Sequence, residues 1–175
     1  MHAIALPAAD EHIAYYGKYI ALLSGDVYAT LESQGRETAR LLAATSEAKG
    51  AHRYAPGKWS VKQVVGHIAD GERVFAYRAL RFARADPTPL PGFDENVFAA
   101  TSGADKRTLG DLAAELASVR AASLTLFGSF DAETLLRRGS ANDAPVSVRA
   151  LAAIIAGHER HHVNLLIERY GLVRS

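Results

Sequence analysis

The stretch LAAIIAGHERHHVNLLIERY, residues 151–170, reads as one amphipathic helix with histidines on its apolar side. Residues four apart nearly superpose on a helical wheel, so His158 and His162 lie about 40° from each other. Leu151, Ile155 and Leu165 share that stripe, which directs both imidazoles toward the core. His161 falls at the edge of the stripe, toward Gly157 and Glu168. Each core-directed imidazole brings a polar nitrogen that burial obliges to find a partner. A histidine pair at i, i+4 can chelate one metal from a single helix, but it needs a third ligand.

A second helix supplies the candidate. Ser60 and Gln63 have the spacing of a capping box, with Trp59 and Val64 as its hydrophobic staple. From there Val61, Val64, Val65, Ile68, Phe75, Ala79 and Phe82 form an apolar stripe, ended by Asp86-Pro87. His67 lies about two turns in, beside Val64 and Ile68, and facing helices of a bundle assemble metal sites in this way. Alone, His67 reads as a core or rim histidine bonded to a carbonyl. For the pair 158/162 the plainer reading is a hydrogen-bonded polar cluster with Asp70 or Glu72. Taken together, the three histidines favour a metal.

The remaining helices follow from caps and periodicity. One should run from near Asp26 to about Thr45, with Val27, Leu31, Thr38, Leu41 and Leu42 on one face. Thr108 and Asp111 open another that reaches about Phe127, and Asp131 caps a short helix ending before Gly139. Ser147 is the N-cap of the last helix, which stops at Gly171. A proline-rich loop (Pro87, Pro89, Pro91, Gly92) and a short helical turn around Glu95 to Phe98 fill the long second connection. No segment shows the sustained two-residue alternation of a half-buried strand. The expectation is all-α: one four-helix-bundle domain over residues 1–175, with short extra helices and an N-terminal arm at 1–25. An up-down-down-up order would suit the long second connection.

Composition removes several function classes. The 175 residues carry a formal net charge of +1, with basic and acidic residues interspersed, so no bulk field favours nucleic acid or an anionic membrane. There is no cysteine, hence no disulfide, thiolate ligand or cysteine nucleophile. The first residues lack a signal-peptide pattern and no apolar run reaches membrane-span length, so the expected address is cytoplasmic. His2, His12 and His52 are read as surface residues. The run His158-Glu159-Arg160-His161-His162 matches the H-E-x-x-H pattern of metalloproteases. Only 13 residues, none of them histidine, follow His162, and the longer metzincin pattern is absent.

Two longer runs carry a resemblance. YAPGKWSVKQVVGHIADGERVFAYRALRFARADPTPLPGF (54–93) and PVSVRALAAIIAGHERHHVNLL (145–166) resemble the DinB-like superfamily, in the branch that includes YfiT-type metal-dependent hydrolases. The likeness extends from about Tyr19 to Arg169, and its most specific pieces are Gly57-Lys58-Trp59-Ser60, His67 with Asp70 and Glu72, and Gly157 to His162. It implies a four-helix bundle, commonly a homodimer, with a three-histidine site for zinc or nickel at His67, His158 and His162. It also implies thiol-dependent S-transfer, with bacillithiol, mycothiol or glutathione as cosubstrate, or hydrolysis of a small molecule.

Three imidazoles leave coordination positions open, the layout of a catalytic site. A metal there could acidify a bound water or an incoming low-molecular-weight thiol. Glu159 and Asp70 are the candidate general bases, with Glu72 a further candidate orienter; the plainer reading for each is a surface or interhelix salt bridge. A non-catalytic metal- or ligand-binding bundle is the alternative function, and peptidase activity through H-E-x-x-H ranks last.

Overall fold

Four long helices begin at side-chain caps in the computed structural model, which describes residues 3–173. In chain order the helices are α1 (Ala14–Ile20), α2 (Val27–Ala43), α3 (Glu47–Gly50), α4 (Val61–Ala83), α5 (Glu95–Thr101), α6 (Leu109–Gly128), α7 (Ala132–Leu136) and α8 (Val148–Glu168). Asp26 caps α2, Thr108 caps α6 and Ser147 caps α8, each accepting a bond from a first-turn N–H. At α4 the box is reciprocal: Gln63 N–H donates to Ser60 Oγ at 3.0 Å, and Gln63 Oε1 accepts from Ser60 N–H at 3.1 Å. Each such cap stabilises its helix start by about 1 kcal/mol.

The bundle is a square in which α2 and α4 occupy opposite corners, each flanked by α6 and α8. Tyr28 and Arg120 donate to the Leu124 and Leu31 carbonyls respectively, so α2 and α6 run antiparallel. Gln34 meets Ala156 and Thr38 meets Glu159, which makes α2 and α8 parallel. Tyr170 reaches the Trp59 carbonyl while His67 meets His158, so α4 and α8 are antiparallel. The order is therefore up-down-down-up.

Strands were not expected, yet β1 (Arg138–Ala141) and β2 (Ala144–Ser147) form an antiparallel hairpin between α7 and α8. Its loop is Asn142-Asp143, both with positive φ (54° and 57°), as a two-residue hairpin turn of the primed type requires. Four-residue strands containing Gly139 and Pro145 are too short to show alternation, which is why the sequence reading missed them. Leu90 bridges to this hairpin through bonds with Ser140 and Asn142, tying down the proline-rich loop.

The core is two apolar clusters separated by a polar layer. Val27, Leu31, Phe75, Phe82, Phe127 and the Val148–Ala156 turns of α8 form one. Leu41, Val61, Val64, Val65, Leu109, Leu112 and Leu166 belong to the other. Between them lie Gln34, Thr38, His67, Glu72, Arg120, His158, Glu159 and His162, all buried. Arg120, 4% exposed, forms a two-bond pair with Glu72 (2.9 and 2.7 Å) and a third bond to Glu159 (2.8 Å). Thr38 donates to the other Glu159 oxygen at 2.6 Å.

The N-terminal segment is laced to the body. Ile4 is buried; its N–H donates to Asp26 Oδ1 and its carbonyl accepts from the Val27 N–H. Buried Glu11 accepts from Ser147 and Arg149. Helix α1 lies on α8, and a Cβ placed on Gly157 would stand 2.3 Å from the Tyr19 carbonyl oxygen, so the absent side chain sets their approach. His2 lies outside the described residues. His12 is half-buried with its Nδ1 on the Ile13 carbonyl, while His52 is exposed as expected.

Two stability outcomes are expected from urea unfolding. Arg120→Met strands two buried carboxylates and should cost about 3–5 kcal/mol, whereas replacing Arg120, Glu72 and Glu159 together by apolar residues should cost far less. A single-variant loss under about 1 kcal/mol would show the triad to be solvated. Gly157→Ala should cost about 1–3 kcal/mol and make the α1 segment sensitive to protease; unchanged cleavage would contradict the packing argument.

Candidate metal centre

Helices α4 and α8 place His67, His158 and His162 together, with one potential ligand nitrogen from each inside a 4.8 Å span. Two features of the sequence allow this. The i, i+4 spacing puts both α8 imidazoles on the side that meets α4. Gly71, one turn beyond His67, leaves room for His158: a Cβ there would already lie 3.0 Å from the His158 Cε1 atom.

The rings are 7%, 6% and 8% exposed in chain order, and burial controls their protonation. Burial holds His67 down at about 4, with the Glu95 charge opposing it. It also holds His158 and His162 well below the ordinary imidazole value, and the neighbouring imidazoles add to the effect. All three are therefore neutral at pH 7, the state in which imidazole binds a metal.

Hydrogen bonding alone does not satisfy the cluster. The Nε2 atoms of His67 and His158 face each other at 2.9 Å, so one proton can serve that pair. His162 Nδ1 is buried with no hydrogen-bond partner among the described residues. A single ion with N–metal bonds of about 2.0–2.1 Å could gather the three rings with small rotations, which a shared proton cannot do. The donor set, three neutral nitrogens and no sulfur, fits a divalent transition metal.

The histidines form the inner wall of a pocket of about 480 Å³. Tyr15, Tyr16 and Tyr19 of α1, Trp59, Phe75 and Phe93 of the proline-rich loop also line it. Trp59 packs 4.8 Å from the His67 ring, and Tyr19 packs 5.5 Å from His158. Glu95, the first residue of α5, is the pocket's acidic side chain, and Arg78 is its basic one. Neither was singled out from sequence. The signal available was that Arg78 lies eleven residues after His67, on the same helical face, and that Asp94 opens a helix.

The two carboxylates expected to act as bases lie elsewhere. Glu159 is rotated about 100° from His158 around α8, toward α2 and α6, and its oxygens are held by Thr38 and Arg120. Asp70 faces α6, beside Arg73 and Glu115, in a shallow cleft that contains none of the three histidines. Glu72 is Arg120's partner, so the interhelix salt bridge is its observed role. His161 is half-buried against Tyr19, outside the cluster.

The pH dependence of stability follows from the shifts. With folded-state values below the unfolded 6.5, the unfolded chain takes up protons first, so stability present above pH 6.5 is lost as pH falls toward 4. The metal-free protein should lose up to about 1.4 kcal/mol per pH unit for each of these histidines. Thermal unfolding in chelator checks this: Tm should fall from pH 7 to pH 5, with a shallower slope in His67→Asn. An equal slope in that variant would refute the assignment.

Comparison with known proteins agrees with the geometry. The solved structure of YfiT from Bacillus subtilis, described as a probable metal-dependent hydrolase with an unusual four-helix bundle topology, matches at a TM-score of 0.70. The match covers 90% of this chain and 89% of that one, at 17% identity, and shows a shared fold. No curated protein sequence matches. The family model of the DinB superfamily matches residues 30–166, a span that includes all three histidines, Arg120 and Glu159, and the chain belongs to that superfamily.

Proposed function

We propose that this chain is a metal-dependent enzyme acting on a small molecule, with His67, His158 and His162 holding one divalent transition metal, zinc or nickel. The observation that carries the reading is the convergence of three buried neutral imidazoles on the wall of an outward-opening pocket. A purely structural ion would be better served by a closed four-ligand shell. A metal bound here supplies a Lewis acid able to acidify a water or a thiol.

The chain's own residues supply the rest. Tyr19, Trp59 and Phe75 surround the imidazoles with apolar surface that limits water and strengthens local electrostatics. Glu95 is the carboxylate that can hold a proton at the pocket, in place of Glu159 and Asp70. Since the chain has no cysteine, a thiol nucleophile would be a low-molecular-weight cosubstrate, and the reaction would be S-transfer to an electrophile; with water the same site would hydrolyse. The metalloprotease arrangement is disfavoured, because its glutamate is committed to Arg120.

Untagged protein analysed by elemental mass spectrometry should contain close to one zinc or nickel per chain. His158→Ala and His162→Ala should each weaken metal binding by at least about 100-fold while leaving the helical circular dichroism intact. Metal that stays substoichiometric after titration would refute the proposal. With metal bound, electrophile turnover that requires added thiol identifies the transferase, and thiol-independent ester cleavage identifies the hydrolase.

A further inference from the structure

Only two arginines among the described residues are buried, and they differ in one respect. Arg120 is matched by two carboxylates. Arg78, 3% exposed, pairs with none among the described residues: its Nη2 donates to the Pro91 carbonyl at 2.7 Å, and the guanidinium lies near the Phe75 and Phe93 rings. Glu95 lines the same pocket but forms no ion pair with it. A guanidinium has five N–H donors in a fork that matches a carboxylate, and the Pro91 carbonyl and the Tyr16 hydroxyl beside it are neutral partners that leave part of that fork for an anion. A largely buried cation that borders a pocket and has no ion-pair partner among the described residues marks a position that a ligand anion completes.

Its placement relative to the histidines gives the ligand a length. Arg78 follows His67 by eleven residues, about three turns along one face of α4, and helical side chains lean toward the N-terminus, here toward the histidines. The guanidinium carbon lies 5.8 Å from the Phe75 ring centre, and the His158 ring lies 6.0 Å from the same centre. Both line one pocket and both lie within about 6 Å of the Phe75 ring centre, with the Tyr16 ring edge-on to Phe75.

We propose that Arg78 is an anion subsite that binds a carboxylate on the substrate or thiol cosubstrate, while the other end of the same molecule reaches the three-histidine centre. This deepens the enzymatic reading and rests on it for the far end of the ligand. The fitting molecule has a carboxylate separated from its reacting group by a chain of about four to eight atoms running over Phe75.

The test uses cobalt-loaded protein and ω-mercaptoalkanoic acids of about three to about eight carbons, each paired with the ω-mercaptoalcohol of equal length. Thiolate binding is read from the sulfur-to-cobalt charge-transfer band. At the optimal length the acid should bind about tenfold or more tighter than the alcohol. Arg78→Met should remove that preference and leave alcohol affinity unchanged, and Arg78→Lys should restore part of it. Equal affinities at every length would overturn the proposal. So would an Arg78→Met variant that weakens acid and alcohol alike, since Arg78 would then only brace the Pro91 loop. The subsite is also testable without metal: in chelator, hexanoate but not hexanol should shift the Arg78 Nε–H NMR signal saturably. A saturable shift beside a failed metal titration would sink the metal centre and keep the anion site, whereas no shift beside normal cobalt binding would do the reverse.

Discussion

A guanidinium with no route to water, that of Arg120, sets the terms on which the four long helices meet. It reaches from α6 to Glu72 on α4, to Glu159 on α8 and to the Leu31 carbonyl on α2. A buried ion network of this kind adds little net stability over a well-packed apolar core, but leaving any member unpaired is expensive. It therefore penalises arrangements that slide or rotate one helix relative to the others. The apolar clusters on either side contribute most of the hydrophobic stabilisation, yet aliphatic side chains can repack in several registers. The polar layer specifies one.

Fixing that register also brings the three histidines together. Helix α8 presents successive residues to different neighbours: His158 and His162 to α4, Glu159 to α2 and α6. Glu159 held by Arg120 and Thr38 on one side sets the rotation of α8 that aims the histidines at His67 on the other. The glutamate of the H-E-x-x-H run is thus a structural anchor one residue away from His158. The up-down-down-up order serves the same end, since it makes α4 and α8 antiparallel neighbours whose midpoints coincide.

The four long helices alone would leave the histidines at an open groove. What turns the groove into a pocket comes from the segments between and before them: α1 brings three tyrosines, the proline-rich loop brings Phe93, and α5 brings Glu95. These pieces are held by Glu11 on Arg149, by Gly157 under Tyr19, and by Leu90 on the hairpin. The histidines and most of the pocket's other walls thus lie on different parts of the chain. Arg78 is the exception, a bundle residue facing the pocket beneath the loop it supports.

The sequence by itself determined the four long helices, their starting caps and the three histidines, because caps and helical periodicity are local properties spanning a few residues. It also determined that any thiol must come from outside the chain, since no cysteine exists. It did not reveal the hairpin, whose strands are too short for a period to register. Nor could it separate Glu159 from His158, or Asp70 from His67. A wheel gives the angle between side chains on one helix but not which neighbouring helix covers each face. Only the tertiary structure decided that Glu159 and Glu72 belong to Arg120, that Asp70 faces α6, and that Arg78 and Glu95 share a pocket with the histidines. Those assignments depend on contacts between residues far apart in the chain, and the energetic reason is burial: a charge takes its role from whichever partner the fold encloses with it.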